Sequence, residues 1–409
     1  MVAPSNTPTS DAQPPPGAVP LRLLTWQAIF ALAAAAIGGV TAVLPLLRDT
    51  HNLATTTVGV IAGAGFLAAF VGQGFLAPLA EHWPRRPLIV AGLGITVLGL
   101  LGMAIGENAW QFVLARVAIG CGTGVVVPTV RAVVAGSDPD RLAENQGRLV
   151  VGEMFGFVAG PAVTAVLAEL FGLSVAFLVL AAALALFLPV AFGLPDIRPT
   201  ISGLERESVR MLLRRRRLRG VVMMMGGYAL GLGTFEAVLP LQVSDLGVST
   251  AGIGLFVTVF VVPIAFSSVV GGRVADRLGA QPIAAVGMIA GSALFMLLGV
   301  APGLISLGVI LGLAGVADGF GFTAALAVAS AAVPLDRQAT ALGVVGATEV
   351  LLAGMATIPA AWLFDRYGAS VTWLVMGGIM TLVVSIGALV STGQSGRTPA
   401  PLSTQLPRM

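Results

Sequence analysis

Twelve stretches of this chain are long and apolar enough to cross a lipid bilayer as helices, and that feature limits every other reading. A spanning helix needs about 20 predominantly apolar residues. Such runs fall at 22–47, 54–80, 87–105, 109–134, 146–169, 173–194, 220–243, 250–271, 281–300, 303–331, 338–362 and 370–391. Of the 409 residues, 56% are apolar and only 10% are charged, with a mean hydropathy of +0.95. Soluble domains carry roughly a quarter charged residues. A soluble enzyme, a nucleic-acid binder and a disordered protein are therefore excluded. The expected fold class is an all-α membrane protein embedded in the lipid bilayer. The isoelectric point near 9.9 accompanies a net charge of only +3, so it does not indicate a nucleic-acid partner.

The rest of the chemistry inventory is short. Cys121 is the only cysteine, and its apolar neighbours suggest an inert thiol. His51 and His82 lie far apart in expected loops, so no metal site is read and no cofactor is implied. The chain has no lysine and hence no Gly-Lys-Ser/Thr phosphate loop, which excludes ATP as the energy source within it.

The chain is expected to divide into a disordered tail over 1–20, a six-helix bundle over 21–194, a basic linker over 195–219, a second six-helix bundle over 220–391 and a disordered tail over 392–409. Arg22 ahead of an Ala-rich run imitates a secretory signal, but that run has a counterpart later in the chain and reads as the first span. Cytoplasmic loops carry the excess of basic residues. With the N-terminus inside, nineteen of the 22 basic residues fall on the inner side. Only Arg48 and Arg366 fall outside, and Arg116 lies within a helix. Both termini are thus expected to be cytoplasmic. Trp26, Trp83, Trp110, Trp362 and Trp373 all fall at expected helix ends or in adjoining loops, where amphipathic rings prefer to sit.

The two halves repeat. Thr41-Ala-Val-Leu-Pro45-Leu46 returns as Glu236-Ala-Val-Leu-Pro240-Leu241, an offset of 195 shared by Glu81 with Asp276 and by Gly120 with Gly315. Later the offset becomes 196, as for Glu153 with Glu349 and Gly172 with Gly368. Two parallel six-helix halves are the signature of a transporter whose halves rock about a site between them.

Three motifs add detail. After the eighth run comes Gly272-Arg-Val-Ala-Asp276-Arg277-Leu-Gly279, expected as a loop in which Gly272 lets helices approach and Gly279 allows a tight turn. Its partner after the second run, Ala77 to Arg86, keeps Arg85 and Arg86 but has Ala77, Glu81, His82 and Pro84 where the later copy has Gly272, Asp276, Arg277 and Gly279. The fourth run contains Arg116-Val-Ala-Ile-Gly120. The fifth contains Gly152, Gly156 and Gly160-Pro161. Glycines four apart make a flat face for close packing, and Pro161 permits a bend.

These features together resemble the major facilitator superfamily, and within it the 12-helix drug/proton antiporter branch. The resemblance implies a gate in which Asp276 and Arg277, with Gly272 and Gly279, and Glu81 with Arg85 and Arg86, hold one conformation. Glu81 would engage Arg131 and Asp336. The bland alternative is that these arginines and acids only fix orientation. Arg116 resembles a position of proton-coupled members, with a structural ion pair as the other reading. The glycine pair that usually ends the helix-5 motif is replaced by Thr164 and Ala165, and many drug/proton exchangers carry a helix-1 acid that this chain lacks.

Four acids fall well inside spans: Glu153, Glu236, Asp318 and Glu349. A charge at a helix centre costs about 2.5–3.5 kcal/mol on insertion scales. Burial disfavours the ionised carboxylate, so such groups can take up a proton on one side of a membrane and lose it on the other. Glu153 and Glu349 are equivalent in the repeat. At 100° per residue Gly156 and Gly160 lie within about 60° of Glu153, and Gly346, Ala353 and Ala356 flank Glu349. Both acids are expected to face the seam between halves or a central cavity; the alternative is two structural acids. Glu236 is a candidate replacement for the missing helix-1 acid from the opposite half, and Asp318 a candidate charge partner of Arg116. Phe155, Tyr228 and Phe235 are candidate substrate contacts, beside the adaptable Met223 to Met225 run.

The leading expectation is a monomeric secondary transporter in the cell membrane, exporting a small amphipathic molecule in exchange for protons. The nearest rival is the same fold working as a proton-coupled importer. A membrane sensor or scaffold is a different class, disfavoured because the longest soluble stretch is the linker.

Overall fold

The computed structural model describes residues 21–73, 84–137, 142–193, 209–334 and 337–392. Among them the chain is helical throughout. The first half holds α1 (Leu21–Thr50), α2 (Thr55–Val71), α3 (Arg85–Ile105), α4 (Ala109–Ser137), α5 (Leu142–Phe171) and α6 (Leu173–Gly193). A single turn, Val209–Leu212, precedes the second half. That half holds α7 (Arg216–Asp245), α8 (Thr250–Leu278), α9 (Ala280–Leu297) and α10 (Leu304–Ala331). The final helical stretch, Gln338–Thr392, breaks at Gly368 into α11 (338–367) and α12 (369–392). Every one of the twelve apolar runs has its helix, although the second run beyond Gln73 lies outside the described residues.

Turns sit where backbone freedom is available. Gly172 and Gly368, equivalent in the repeat, have φ of +90° and +76°. They join α5 to α6 and α11 to α12. A side chain at such a φ costs roughly 1–2 kcal/mol, so the two halves use glycine for the same corner.

Each half has its own apolar core. Small residues let helix backbones come together. Gly152, Gly156 and Gly160 face the α1 backbone at Gln27, Ala31 and Ala35, where a Cβ would collide. The equivalent contact in the second half sets Gly233 of α7 against the Ala353 carbonyl of α11. Helices α3 and α4 pack through Gly92 and Gly122, and α9 and α10 through Gly287 and Gly321. The outward faces carry large apolar side chains, among them Leu98, Leu170, Val286 and Ile305, as a lipid-facing surface requires.

The halves meet through α2 with α11 and α5 with α8, a symmetric exchange. Gly59 and Gly63 of α2 abut Thr357 and Ala361 of α11. Gly254 of α8 abuts Pro161, Ala162 and Ala165 of α5. At the same end, Arg48 Nη2 pairs with Asp245 Oδ1 at 3.3 Å. Glu169 Oε2 accepts a hydrogen bond from the Ala251 amide in the first turn of α8 at 2.7 Å. The start of α11, at the other end, is different: a Cβ at Gly343 or Gly346 would meet nothing within 4 Å among the described residues.

Three sequence expectations need correction. The segment after the eighth run is not a loop: α8 continues through Asp276 and Arg277 to Leu278, and the turn comes only at Gly279, with φ +93°. Close helix approach belongs to Gly271, set against the α10 backbone at Phe320. A Cβ at Gly272 would meet only the Thr323 methyl at ordinary contact distance. Trp373 does not sit in an interface belt. It is fully buried and donates its indole N–H to Gln242 Oε1 at 2.7 Å, and Trp26 is buried as well.

Candidate functional site

Among the described residues, the four acids expected inside the spans fall into two clusters and one acid that stands apart from them. The first cluster joins α1 and α7. Thr41 Oγ1 donates to Glu236 Oε2, a bond between two residues that are equivalents in the repeat. Residues near a two-fold axis meet their own counterparts, so the short identical stretches around Thr41 and Glu236 face one another. Arg116 of α4 supports this place from behind. It is 1% exposed and donates Nη1 to the Ile37 carbonyl of α1 at 2.9 Å. Its charge also acts on Glu236. Gly65 of α2 makes room for the guanidinium, since a Cβ there would lie 2.6 Å from Arg116 Nε.

The second cluster lies further from the joined end. Arg131 Nη2 of α4 pairs with Glu153 Oε2 of α5 at 2.9 Å, with both side chains partly exposed. The Arg131 guanidinium also lies over the Phe30 ring of α1, 5.4 Å from its centroid. Glu349 of α11 is close enough that its charge interacts with both Glu153 and Arg131. Glu153 and Glu349, equivalent acids of the two halves, thus lie within electrostatic range of each other and of Arg131. Glu153 sits 16 residues before Glu169, about 24 Å along α5. The acids therefore lie well away from the end where the halves close.

The third feature is Asp318 of α10, 1% exposed. Both of its carboxylate oxygens lack a hydrogen-bond partner among the described residues. It does not pair with Arg116, which the first half holds at Ile37. Gly291 of α9 lies directly against Asp318 Oδ1.

The aromatic expectations divide. Tyr228 is buried, packs on Phe322 with ring centroids 5.6 Å apart, and lies within reach of the charges of Asp318 and Glu349. Phe235 is 2% exposed and belongs to the second-half core with Phe260, Phe295 and Trp373. Phe155 is 68% exposed. It stands 200° around α5 from Glu153, beside Val151, and the structure does not bring it to the acids.

Of the expected gate, Glu81 and Asp336 lie outside the described residues. Arg131 is bound to Glu153, a partner the motif did not suggest. Arg85 donates Nη1 to the Ala132 carbonyl near the end of α4 at 2.8 Å, a C-terminal helix contact favourable for a cation. Arg86 lines a shallow apolar cleft with Val90 and Phe192. Asp276 and Arg277 are exposed. Among the described residues no group of three or more His, Cys, Asp or Glu side chains could hold a metal.

Sequence reading missed Thr41 as a cross-half donor and Glu169 as an acceptor. Thr41 had a signal, being the repeat partner of Glu236. Glu169 had none, because its role depends on how α5 leans on α8.

The family model of the Major Facilitator Superfamily matches residues 28–243 and again residues 221–407. The chain is 27% identical over 312 residues to the multidrug resistance protein MdtG of Klebsiella pneumoniae (strain 342), covering 72% of this chain and 75% of that protein. It is 25% identical over 260 residues to the multi-drug resistance efflux pump PmrA homolog of Lactococcus lactis subsp. lactis (strain IL1403), covering 60% of this chain and 64% of that one. In fold it is similar to a bacterial homolog of the human lysosomal transporter Spinster, in its inward-facing and unoccupied crystal structure. The TM-score is 0.78 at 15% identity, over 90% of this chain and 96% of that chain. The crystal structure of the nucleoside transporter NupG aligns with TM-score 0.70 at 15% identity, over 91% of this chain and 99% of that chain.

Proposed function

Since the chain belongs to the major facilitator superfamily, and is a multi-pass membrane transporter rather than an enzyme, we propose that it exports a small amphipathic or cationic molecule in exchange for protons. The supporting observation is that Glu153 and Glu349, one acid from each half, lie within electrostatic range of each other, with Arg131 bound to Glu153. Two carboxylates in range of one guanidinium leave a net negative charge there, and either a proton or a cationic solute can neutralise it. The two therefore compete for one place, which is the requirement for exchange.

The arrangement of the halves suits alternating access in a single chain. The Arg48–Asp245 and Glu169–Ala251 contacts close one end. With both termini cytoplasmic, as the arginine distribution implies, that end is the outer one and the acids are reached from inside. A cytoplasmic solute enters between Glu153 and Glu349 and a proton leaves. After the halves rock, a proton arriving from outside displaces the solute. Glu236 carries the second role. Its protonation weakens it as an acceptor for Thr41 and removes its attraction to Arg116, which loosens the join between α1 and α7. One pH unit is worth about 1.4 kcal/mol per proton, so one-for-one exchange supports about a tenfold solute gradient. The relatives MdtG and PmrA, named as multidrug resistance and efflux proteins, agree with outward movement.

Reconstitution in proteoliposomes with a pH-sensitive dye tests this. Adding a lipophilic monovalent cation should drive protons opposite to the solute. Protons moving together with the solute would establish an importer, and no proton movement would remove the coupling.

A further inference from the structure

The stretch that leads into α7 carries a concentration of charge that the exchange just described does not use. Arg214, Arg215, Arg216, Arg217 and Arg219 are all exposed. They are nonetheless held in place. Leu212 and Leu218, on either side of the run, are fully buried in the second-half core. The Arg214 and Arg215 amides close a turn on the Met211 and Leu212 carbonyls at 3.2 and 3.0 Å. Gly220 sets the foot of α7 against α12 at Gly387 and Ser391, where a Cβ would collide. The run therefore lies level with the end of α12, at the edge of the bundle.

Two of the five arginines have a task inside the protein. Arg215 Nη1 donates to the Ala332 carbonyl just beyond α10 at 3.4 Å. Arg216 Nε donates to the Val390 carbonyl in the last turn of α12 at 3.2 Å. Cations suit such helix C-termini. Arg214, Arg217 and Arg219 pair with no carboxylate among the described residues. The linker's own acids cannot balance the run, because segment 195–219 holds eight arginines against Asp196, Glu205 and Glu207.

Such a run works against itself. Like charges one helical turn apart repel, as Arg215 and Arg219 are spaced to do. Cations at a helix N-terminus also oppose the helix dipole, and the first turn of α7 has no acid to offset them. A bound anion relieves both conflicts, and a guanidinium fork fits two phosphate oxygens at once. The position selects the kind of phosphate. The foot of a spanning helix stands at headgroup depth, where basic clusters attract anionic lipid. Met211, 52% exposed, places an apolar side chain beside the charges. A signal for membrane orientation needs only positive charge, not a turn pinned by two buried leucines.

We propose that Arg214, Arg217 and Arg219 form a binding site for an anionic phospholipid of the inner leaflet, which Arg215 and Arg216 tie to the ends of α10 and α12. The bound headgroup fastens the linker to the second half.

Native mass spectrometry of the full-length protein with phosphatidylglycerol, phosphatidylcholine or glycerol 3-phosphate tests this. The parent protein should retain phosphatidylglycerol in preference to phosphatidylcholine, and glycerol 3-phosphate should not displace it. Each change of Arg214, Arg217 or Arg219 to Gln should weaken phosphatidylglycerol binding about fivefold. Arg217→Lys keeps the charge and loses the fork, so it should fall between the parent and Arg217→Gln. Arg273→Gln, which removes an exposed arginine outside the run, should change nothing. Equal retention of the two lipids by the parent, or undiminished phosphatidylglycerol binding by the triple glutamine variant, overturns the proposal. An equal loss in Arg273→Gln also overturns it, since the charge of the whole face would then suffice. Displacement by glycerol 3-phosphate would show a site for soluble phosphates and overturn the lipid assignment. Should the triple variant fail to insert, the three single substitutions carry the test, and unchanged binding in all of them is the refuting result. No transport is measured, so the outcome is separate from that of proton exchange.

Discussion

Thr41 and Glu236 occupy one position of the repeat twice with different chemistry, and this asymmetry joins the halves. Thr41→Val keeps the shape and removes the donor, leaving a buried carboxylate short of a hydrogen bond. The expected loss is about 1–3 kcal/mol, read as a lower melting temperature in detergent, with Thr41→Ser close to the parent. Trp373→Phe should cost a similar 1–3 kcal/mol, because Gln242 Oε1 loses its buried donor; a melt unchanged within error would show that water replaces the indole. The acids themselves were legible in the sequence, since a charge within an apolar run needs a reason wherever it occurs. Their partners were less so. Arg131 lies on a motif that suggested Glu81, yet the rotation of α4 against α5 delivers it to Glu153. Phe235 lies one residue from Glu236 and points into the core, because neighbours on a helix diverge by 100°.

At the scale of helices, small residues decide which faces touch. Gly156 meets the Ala31 carbonyl of α1, while Gly346, one turn before Glu349, faces open space. Gly156→Leu should therefore force α1 from α5 and cost at least the 1–3 kcal/mol typical of overpacking. Gly346→Ala should leave the melt unchanged or slightly raised, and a large destabilisation there would show that α11 packs more closely than described. The sequence pattern found the α5 glycines and their spacing, and it placed Gly346 on the corresponding small face beside Glu349. Spacing records which face is small and not whether a helix covers it. For the same reason Gly272 was expected at the contact that Gly271 makes. Helix ends were blurred likewise: the polar Gly272 to Leu278 segment reads as a loop, and it remains helical because nothing in it breaks a helix before Gly279.

For the whole molecule, the repeat was the most informative feature of the sequence, because it implies two bundles about a pseudo-two-fold axis before any contact is known. The structure adds the state of that pair. Contacts of α2 with α11 and of α5 with α8 close the end that holds Arg48, Glu169 and Asp245, and the acids lie beyond them. Which end closes depends on the balance between two packings of one sequence and leaves no trace in residue order. The central claim is that Glu153 and Glu349 exchange a proton for solute as the bundles rock. Its most direct test is pH-driven solute flux in proteoliposomes carrying Glu153→Gln with Glu349→Gln. The account predicts that the doubly substituted protein inserts and folds but no longer responds to the imposed gradient. Full pH-driven transport by that protein would contradict it.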